Sequence, residues 1–389
     1  MIDPLVLSGG AVLTPGGLRD ADLVIEGEVI AAVEPDAARS SNRVDVAGRW
    51  VLPGIVDLHG DAVERALSPR PSAPMTAESA LVENDRAMLA AGITTAYLSL
   101  TDGFEPGLRS RERLREVIGA WRRLRPVLGV DTRIHVRHER CNVDDFDELL
   151  AWLADGTIEL LSLNDHAPPP GHAPDGTAAN VQARTGMSPD DALAVARRAV
   201  EQRPTGLEQE PELVAAAHTA GVPIASHDDA DAEQVAASAA LGVRIAEFPF
   251  TLAAAHAARG HGQSVLLGAP NLVRGGSHLG NLSVADAVSA GAVDVLASDY
   301  HYSSLLAAPF VAMDRGLTDV ASAWSLVAER PARAAGLDDR GRLEAGQRAD
   351  VIVVDPGARV RSPEIVVAGG EIAYSVRPSA VAAPAASPR

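Results

Sequence analysis

Eight short apolar runs, each followed by a helix-like or loop stretch, constrain this chain more than any other feature, because parallel strands joined by crossovers require that alternation. The runs are Val51 to Leu58, Thr94 to Leu100, Arg133 to His138, Ile158 to Leu163, Pro223 to Ser226, Arg244 to Phe248, Ser264 to Leu267 and Val293 to Ala297. Helix signals fall between them at Ala77 to Ala91, Glu112 to Arg123, Asp144 to Ala154, Asp190 to Arg203 and Thr318 to Ala328. The pattern predicts an α/β protein with a (β/α)8 TIM barrel over residues 51–340; a chain of 389 residues leaves room beside it for a smaller domain. Short β-type runs separated by turn residues fill the first 50 residues and return after Gly341, in Ala349 to Val354, Ile365 to Val367 and Glu371 to Ser375. Residues 1–50 and 341–378 are therefore expected to build one small β-sandwich-like domain from both chain ends. Residues 379–389, rich in Ala, Pro and Ser, read as a disordered tail.

Charge narrows the partners. A net charge of -18 argues against nucleic acid, whose phosphate backbone calls for a basic surface. All 34 basic residues are Arg. Nowhere do eighteen apolar residues run uninterrupted, so no membrane association is expected. With Cys141 as the only cysteine no intrachain disulfide can form, and the chain reads as cytoplasmic. The same reading leaves room for a homodimer.

Several predicted strands end in a potential metal ligand: His59 and Asp61 after the first, Glu139 after the third, His166 after the fourth, His227 after the fifth and Asp299 after the eighth. In a barrel these positions converge on one face. A lone His or Asp at a strand end usually caps or pairs locally, so it is the repetition that carries the argument. His59 and Asp61 are two apart, and on extended chain they point to one side and can share a cation. In Arg133 to Glu139, Glu139 shares a face with His135 and Arg137; the alternative for it is pairing with Arg137 or Arg140. The imidazole-carboxylate mixture favours one or two divalent ions, zinc first and manganese second. Farther along, Arg274, Gly275, Gly276, Ser277 and His278, in a segment running to Asn281, suit a phosphate: glycines let amides approach, and the side chains donate to its oxygens. An ordinary Gly-rich turn is the competing reading. Arg70 and Arg65 are second-rank anion contacts, and Cys141 reads as a small buried thiol.

The run Val51-Leu52-Pro53-Gly54-Ile55-Val56-Asp57-Leu58-His59-Gly60-Asp61 resembles the first-strand signature of the amidohydrolase superfamily, and Gly341-Arg342-Leu343 with Ala349 to Val353 resembles its return into a small β domain. Many members bridge two metals with a carboxylated lysine; a chain without Lys must use a carboxylate, for which Glu139 is the candidate. At finer grain the sequence resembles the triphosphate diphosphatases of phosphonate metabolism. The matching blocks are His59 to Glu64 with Pro69-Arg70-Pro71, Arg137-His138-Glu139, Ser162 to His166, Ser226 to Asp229, Glu247-Phe248-Pro249, Gly268 to Asn281 and Ser298-Asp299-Tyr300. It departs from that family at Ala62-Val63 and at Ala167 to Pro170, the latter in a loop that could touch substrate. The resemblance implies hydrolysis of a small anionic phosphorylated substrate, α-D-ribose 1-methylphosphonate 5-triphosphate, to its 5-phosphate and pyrophosphate. It further implies Asp299 as metal ligand and proton acceptor, with Asp228 or His301 as the fallback. Two other readings use the same barrel: an amidohydrolase acting on a cyclic amide or amine, and a metal-free binding protein.

Overall fold

The computed structural model describes residues 3–34, 40–70, 73–168, 172–277 and 280–376. The tail at 379–389, His278 and the end of the Ala167 to Pro170 segment therefore lie outside the described residues.

Strands Ile55–Gly60, Ile93–Asp102, Asp131–Glu139, Leu160–Asn164, Ile224–His227, Ile245–Glu247, Ser264–Gly268 and Val295–Ala297 pair in parallel, each with the next in sequence. A parallel bridge between Gly60 and Asp299 sets the eighth strand's end beside the first, so the sheet is a nearly closed barrel. Helices cover the outside, which is why the strands read as continuous apolar runs; Ile93–Asp102 is buried along its whole length. The barrel interior is packed by Val56, Leu58, Tyr97, Leu160, Ala225, Ile245, Leu266 and Val295, which closes it as a channel and confines chemistry to its rims.

Two sequence expectations need correction. The first apolar run, Val51 to Leu58, is two strands: Trp50–Pro53 pairs antiparallel with Val351–Val354 and parallel with Leu5–Thr14, and the barrel strand starts only at Ile55. Both pieces are buried, so apolar character cannot mark the switch. The helix expected at Asp190 to Arg203 runs from Pro189 to Ala220, 32 residues, through Pro204 and Pro211. A proline inside a helix costs about 3 kcal/mol. Burial of Leu213, Val214 and Ala217 beyond Pro211 continues the packed face and offsets that cost.

The second sheet orders Glu371–Ser375, Pro363–Ala368, Val351–Val354, Trp50–Pro53, Leu5–Thr14, Gly17–Glu26 and Val29–Glu34, with Arg43–Asp45 beside Leu5–Thr14. Leu7, Leu23, Ile25 and Ile30 from one wing share a core with Val351, Ile365 and Val367 from the other, so the sheet curls over itself. Among the described residues no helix is long and apolar enough to cross a membrane.

Candidate active site

The seam between first and eighth strands positions the first ligand. Asp57 is fully buried and accepts the Ser298 amide at 3.0 Å and the Ser298 hydroxyl at 2.5 Å, stapling the strands together. The pairing of the first strand with the second shifts register between Asp57 and Gly60. That bulge lets consecutive residues face inward: Leu58 joins the barrel core while His59 lies against the rings of His135, His227 and Phe248. Gly60 is required there, because a Cβ would come within 2.9 Å of Asp57 Oδ2 and 3.0 Å of Ser298 Oγ.

Glu247, at the end of the sixth strand, organises the centre. It is fully buried; His59 Nδ1 donates to it at 2.9 Å, His227 Nδ1 at 3.2 Å and Ser162 Oγ at 3.0 Å. A carboxylate can only accept, so both rings carry their proton on Nδ1 and keep Nε2 as a lone-pair donor. Burial would lift the Glu247 pKa, but the charges of His59 and His135 outweigh it and hold the group well below the usual carboxylate range. Burial likewise opposes charge on His59, yet Glu247 tips it upward; His227, dominated by burial, is shifted down. His135 hangs beneath, bonded to Ser99 Oγ at 2.9 Å and pushed down to about 3 by burial.

A second cluster adjoins the first. His166 Nδ1 bonds Glu139 Oε1, and the His166 amide donates to Glu139 Oε2 at 3.0 Å. Glu139 thus pairs with His166 and makes no bond to Arg137 or Arg140 of its own strand end. Its charge raises the His166 pKa to about 9; burial works against Glu139, but the His166 charge holds it down at about 2. His166 Nε2 is 3.8 Å from Asp228 Oδ2, which is also 3.8 Å from His227 Nε2. Between the clusters sits the buried Arg137 guanidinium, 3.5 Å from Asp61 Oδ2 and 3.3 Å from His227 Nε2.

Above these groups opens a cleft of about 200 Å³ lined by His59, Asp61, Arg137, His227, Asp228, Phe248, Arg274, Ser277, Asn281, Asp299 and Tyr300. Asp228, Phe248 and Asp299 all hold left-handed φ, at 63°, 53° and 54°. Non-glycine residues in that region cost of order 1–3 kcal/mol each and gather at functional sites. Here they turn the chain sharply after the fifth, sixth and eighth strands. Arg274 Nη1 donates to the Tyr300 hydroxyl at 2.9 Å. The amides of Gly275 and Gly276 both bond the Asn271 carbonyl, at 3.1 and 2.8 Å, ending the helix Ala269–Arg274. These two glycines therefore terminate a helix, their N–H groups already spent, and the face offered to an anion is made of side chains. Arg70 is exposed and does not line the cleft, and Cys141 is buried.

Donor atoms within 4.8 Å of one another form two overlapping groups among the described residues, His59–His227–Glu247 and His166–His227–Asp228. Asp61 and Asp299 line the same cleft, and Glu139 supports His166, but none of the three joins either group. Glu247 and Asp228 are the residues that reading strand ends did not single out as ligands, although Glu247 closes an apolar strand just as His227 does. Two imidazoles with their second nitrogens fixed on a buried carboxylate are a fit for a divalent ion.

Over 86% of its length, covering 94% of the other chain, this sequence is 33% identical to the α-D-ribose 1-methylphosphonate 5-triphosphate diphosphatase of Escherichia coli (strain K12). The chain belongs to that diphosphatase family. No model of a protein family matches it. Among solved structures, an amidohydrolase shares the fold with a TM-score of 0.65 at 17% identity, covering 96% of this chain and 99% of the other. A D-hydantoinase does so at 0.60 and 15%, covering 96% and 95%. The amidohydrolase barrel expected from the first-strand signature is thus the fold of this family member.

Proposed function

We propose that the protein hydrolyses α-D-ribose 1-methylphosphonate 5-triphosphate to the 5-phosphate and pyrophosphate in phosphonate catabolism. Kinship with the Escherichia coli diphosphatase across nearly all of that enzyme's length carries the reading. The cleft supports it: Arg274 and Arg137 reach a space walled by the carboxylates and imidazoles that would hold a cation. A metal-free binding protein on the same barrel would have no need to keep the two imidazoles locked on buried Glu247.

His59, His227, His166 and Asp228 would hold one or two divalent ions, with Asp61 and Asp299 beside them; zinc suits this donor set best and manganese also fits. Such an ion supplies Lewis acidity, lowering the pKa of water and screening phosphate charge. The protein's own groups do the rest. Glu247 keeps the two imidazoles in the tautomer that can ligate. Arg274, braced by Tyr300, neutralises phosphate oxygens and the charge that builds on departing pyrophosphate. Asp299, whose backbone turns left-handed to bring it into the cleft, accepts the proton of the attacking water.

Pyrophosphate is a better leaving group than a sugar alkoxide, so water attacks the α-phosphorus and the α-β bridge breaks. Hydrolysis in 18O-labelled water should place the label in the ribose 5-phosphate product and none in pyrophosphate. Label in pyrophosphate would move the attack to the β-phosphorus and overturn the assigned geometry, and release of orthophosphate from the terminal position would overturn the reaction itself.

A further inference from the structure

A second cleft, of about 210 Å³, opens on the far side of the metal-ligating groups. Arg137 lies in the wall of both clefts, and Glu139 and His166 form this one's inner edge. Its floor contains two buried polar atoms with no hydrogen-bond partner among the described residues, Thr101 Oγ1 and Arg137 Nε. The two residues stand side by side on neighbouring strands, because Thr101 is paired with Arg137 in the ladder. They face the barrel mouth: the next residue, Asp102, points the other way and binds Arg111 and His138. A buried donor or acceptor left unmade is costly, and one beside an open cleft is explained when a ligand completes it.

The outer wall is built to hold its shape. Arg184 Nε and Nη2 grip Glu105 at 2.8 and 2.6 Å, and Arg109 grips Glu64 at 3.0 and 2.9 Å. The lining cations are thus largely matched, Arg184 by Glu105, Arg109 by Glu64 and His166 by Glu139, with the Arg137 guanidinium the most loosely paired, 3.5 Å from Asp61. That near balance is a poor match for a polyphosphate. It suits a polyhydroxylated group bearing a single anionic centre, with the unpartnered hydroxyl and N–H ready for sugar oxygens.

We propose that this second cleft receives the ribose ring and its C1 methylphosphonate, so that the substrate crosses the site with its triphosphate tail beside Arg274. The assignment rests on the proposed reaction and adds the direction of binding and the residues that read the sugar end. Thr101 and Arg184 then set specificity; neither touches the reacting phosphorus.

The test compares kcat/KM for the ribosyl triphosphate with kcat/KM for inorganic tripolyphosphate, which has no sugar, in wild type, Thr101→Val, Thr101→Ser and Arg184→Gln. Loss of a substrate hydrogen bond should lower the ratio of the two values on the order of tenfold to a hundredfold in Thr101→Val and Arg184→Gln. Thr101→Ser, which keeps the hydroxyl, should retain it. Thermal melting and metal content of each variant separate a fold defect from a binding defect, and the ratio remains readable at reduced overall activity. A ratio unchanged in both variants, or equal falls on both substrates, overturns the subsite while leaving the reaction standing. Wild-type protein that cleaves tripolyphosphate but no ribosyl triphosphate overturns the reaction, and the subsite with it.

Discussion

Glu247→Gln is the sharpest perturbation of the centre, because it changes charge and donor pattern at nearly constant volume. The wild-type carboxylate accepts from His59, His227 and Ser162 at 2.9, 3.2 and 3.0 Å. A glutamine offers one acceptor oxygen and one NH2. With oxygen towards His59, the NH2 meets His227 Nδ1 and forces that ring to carry its proton on Nε2, the nitrogen the metal needs. The Arg137 Nη2 contact to His227 Nε2 at 3.3 Å is lost by the same tautomer change. Removing the partner that orients a ligating histidine costs roughly 10- to 100-fold in metal affinity, which is about 1.4–2.8 kcal/mol. Competition against a chromophoric chelator would read this for zinc, with His59→Ala as the reference for outright loss of a ligand. Wild-type affinity in Glu247→Gln would refute the supporting role. A loss as large as that of His59→Ala would make Glu247 a ligand itself.

Glu139→Gln should lower bound metal per chain more than Arg137→Ala does by elemental analysis, since Glu139 orients His166 whereas Arg137 brings only positive charge to the centre; the reverse order would reduce Glu139 to an ion-pair partner. Arg274→Ala should lower kcat/KM roughly tenfold to a hundredfold, as loss of a charge-assisted hydrogen bond to phosphate allows, and an unchanged value would remove this residue from the site. Away from the site, Asp131 opposes its burial penalty with the charges of Arg133 and Arg340, which leave its pKa below the ordinary value. A depressed folded-state pKa stabilises above the unfolded pKa and is lost as pH falls through the folded one. The melting-temperature gap between wild type and Asp131→Asn should therefore be full above about pH 5 and shrink steadily below about pH 4; a gap that widens on acidification would contradict this.

How much of this was legible beforehand can be traced residue by residue. His59, His166, His227 and Asp299 stand out because a barrel brings strand ends to one rim, and the apolar strands before them are short, buried and easy to recognise. Asp57 and Gly60 sit in a recognisable motif, yet their reason is geometric: Asp57 staples the closing seam and Gly60 passes where no Cβ fits. The split of Val51 to Leu58 between two sheets is not legible in sequence, because burial on either side looks the same.

Local sequence determined which residues could serve as ligands and roughly where each strand ends, since periodicity and turn chemistry act over a few neighbours. Only the tertiary structure decided who partners whom. Glu247 lies 188 residues from His59 and 20 from His227, and barrel curvature alone lets one carboxylate hold both rings. Closure also placed Glu139 against His166, 27 residues away, rather than its neighbouring arginines. Hydrogen-bond partnership depends on distances of about 3 Å between groups far apart in the chain. Such distances are set by how the whole barrel closes.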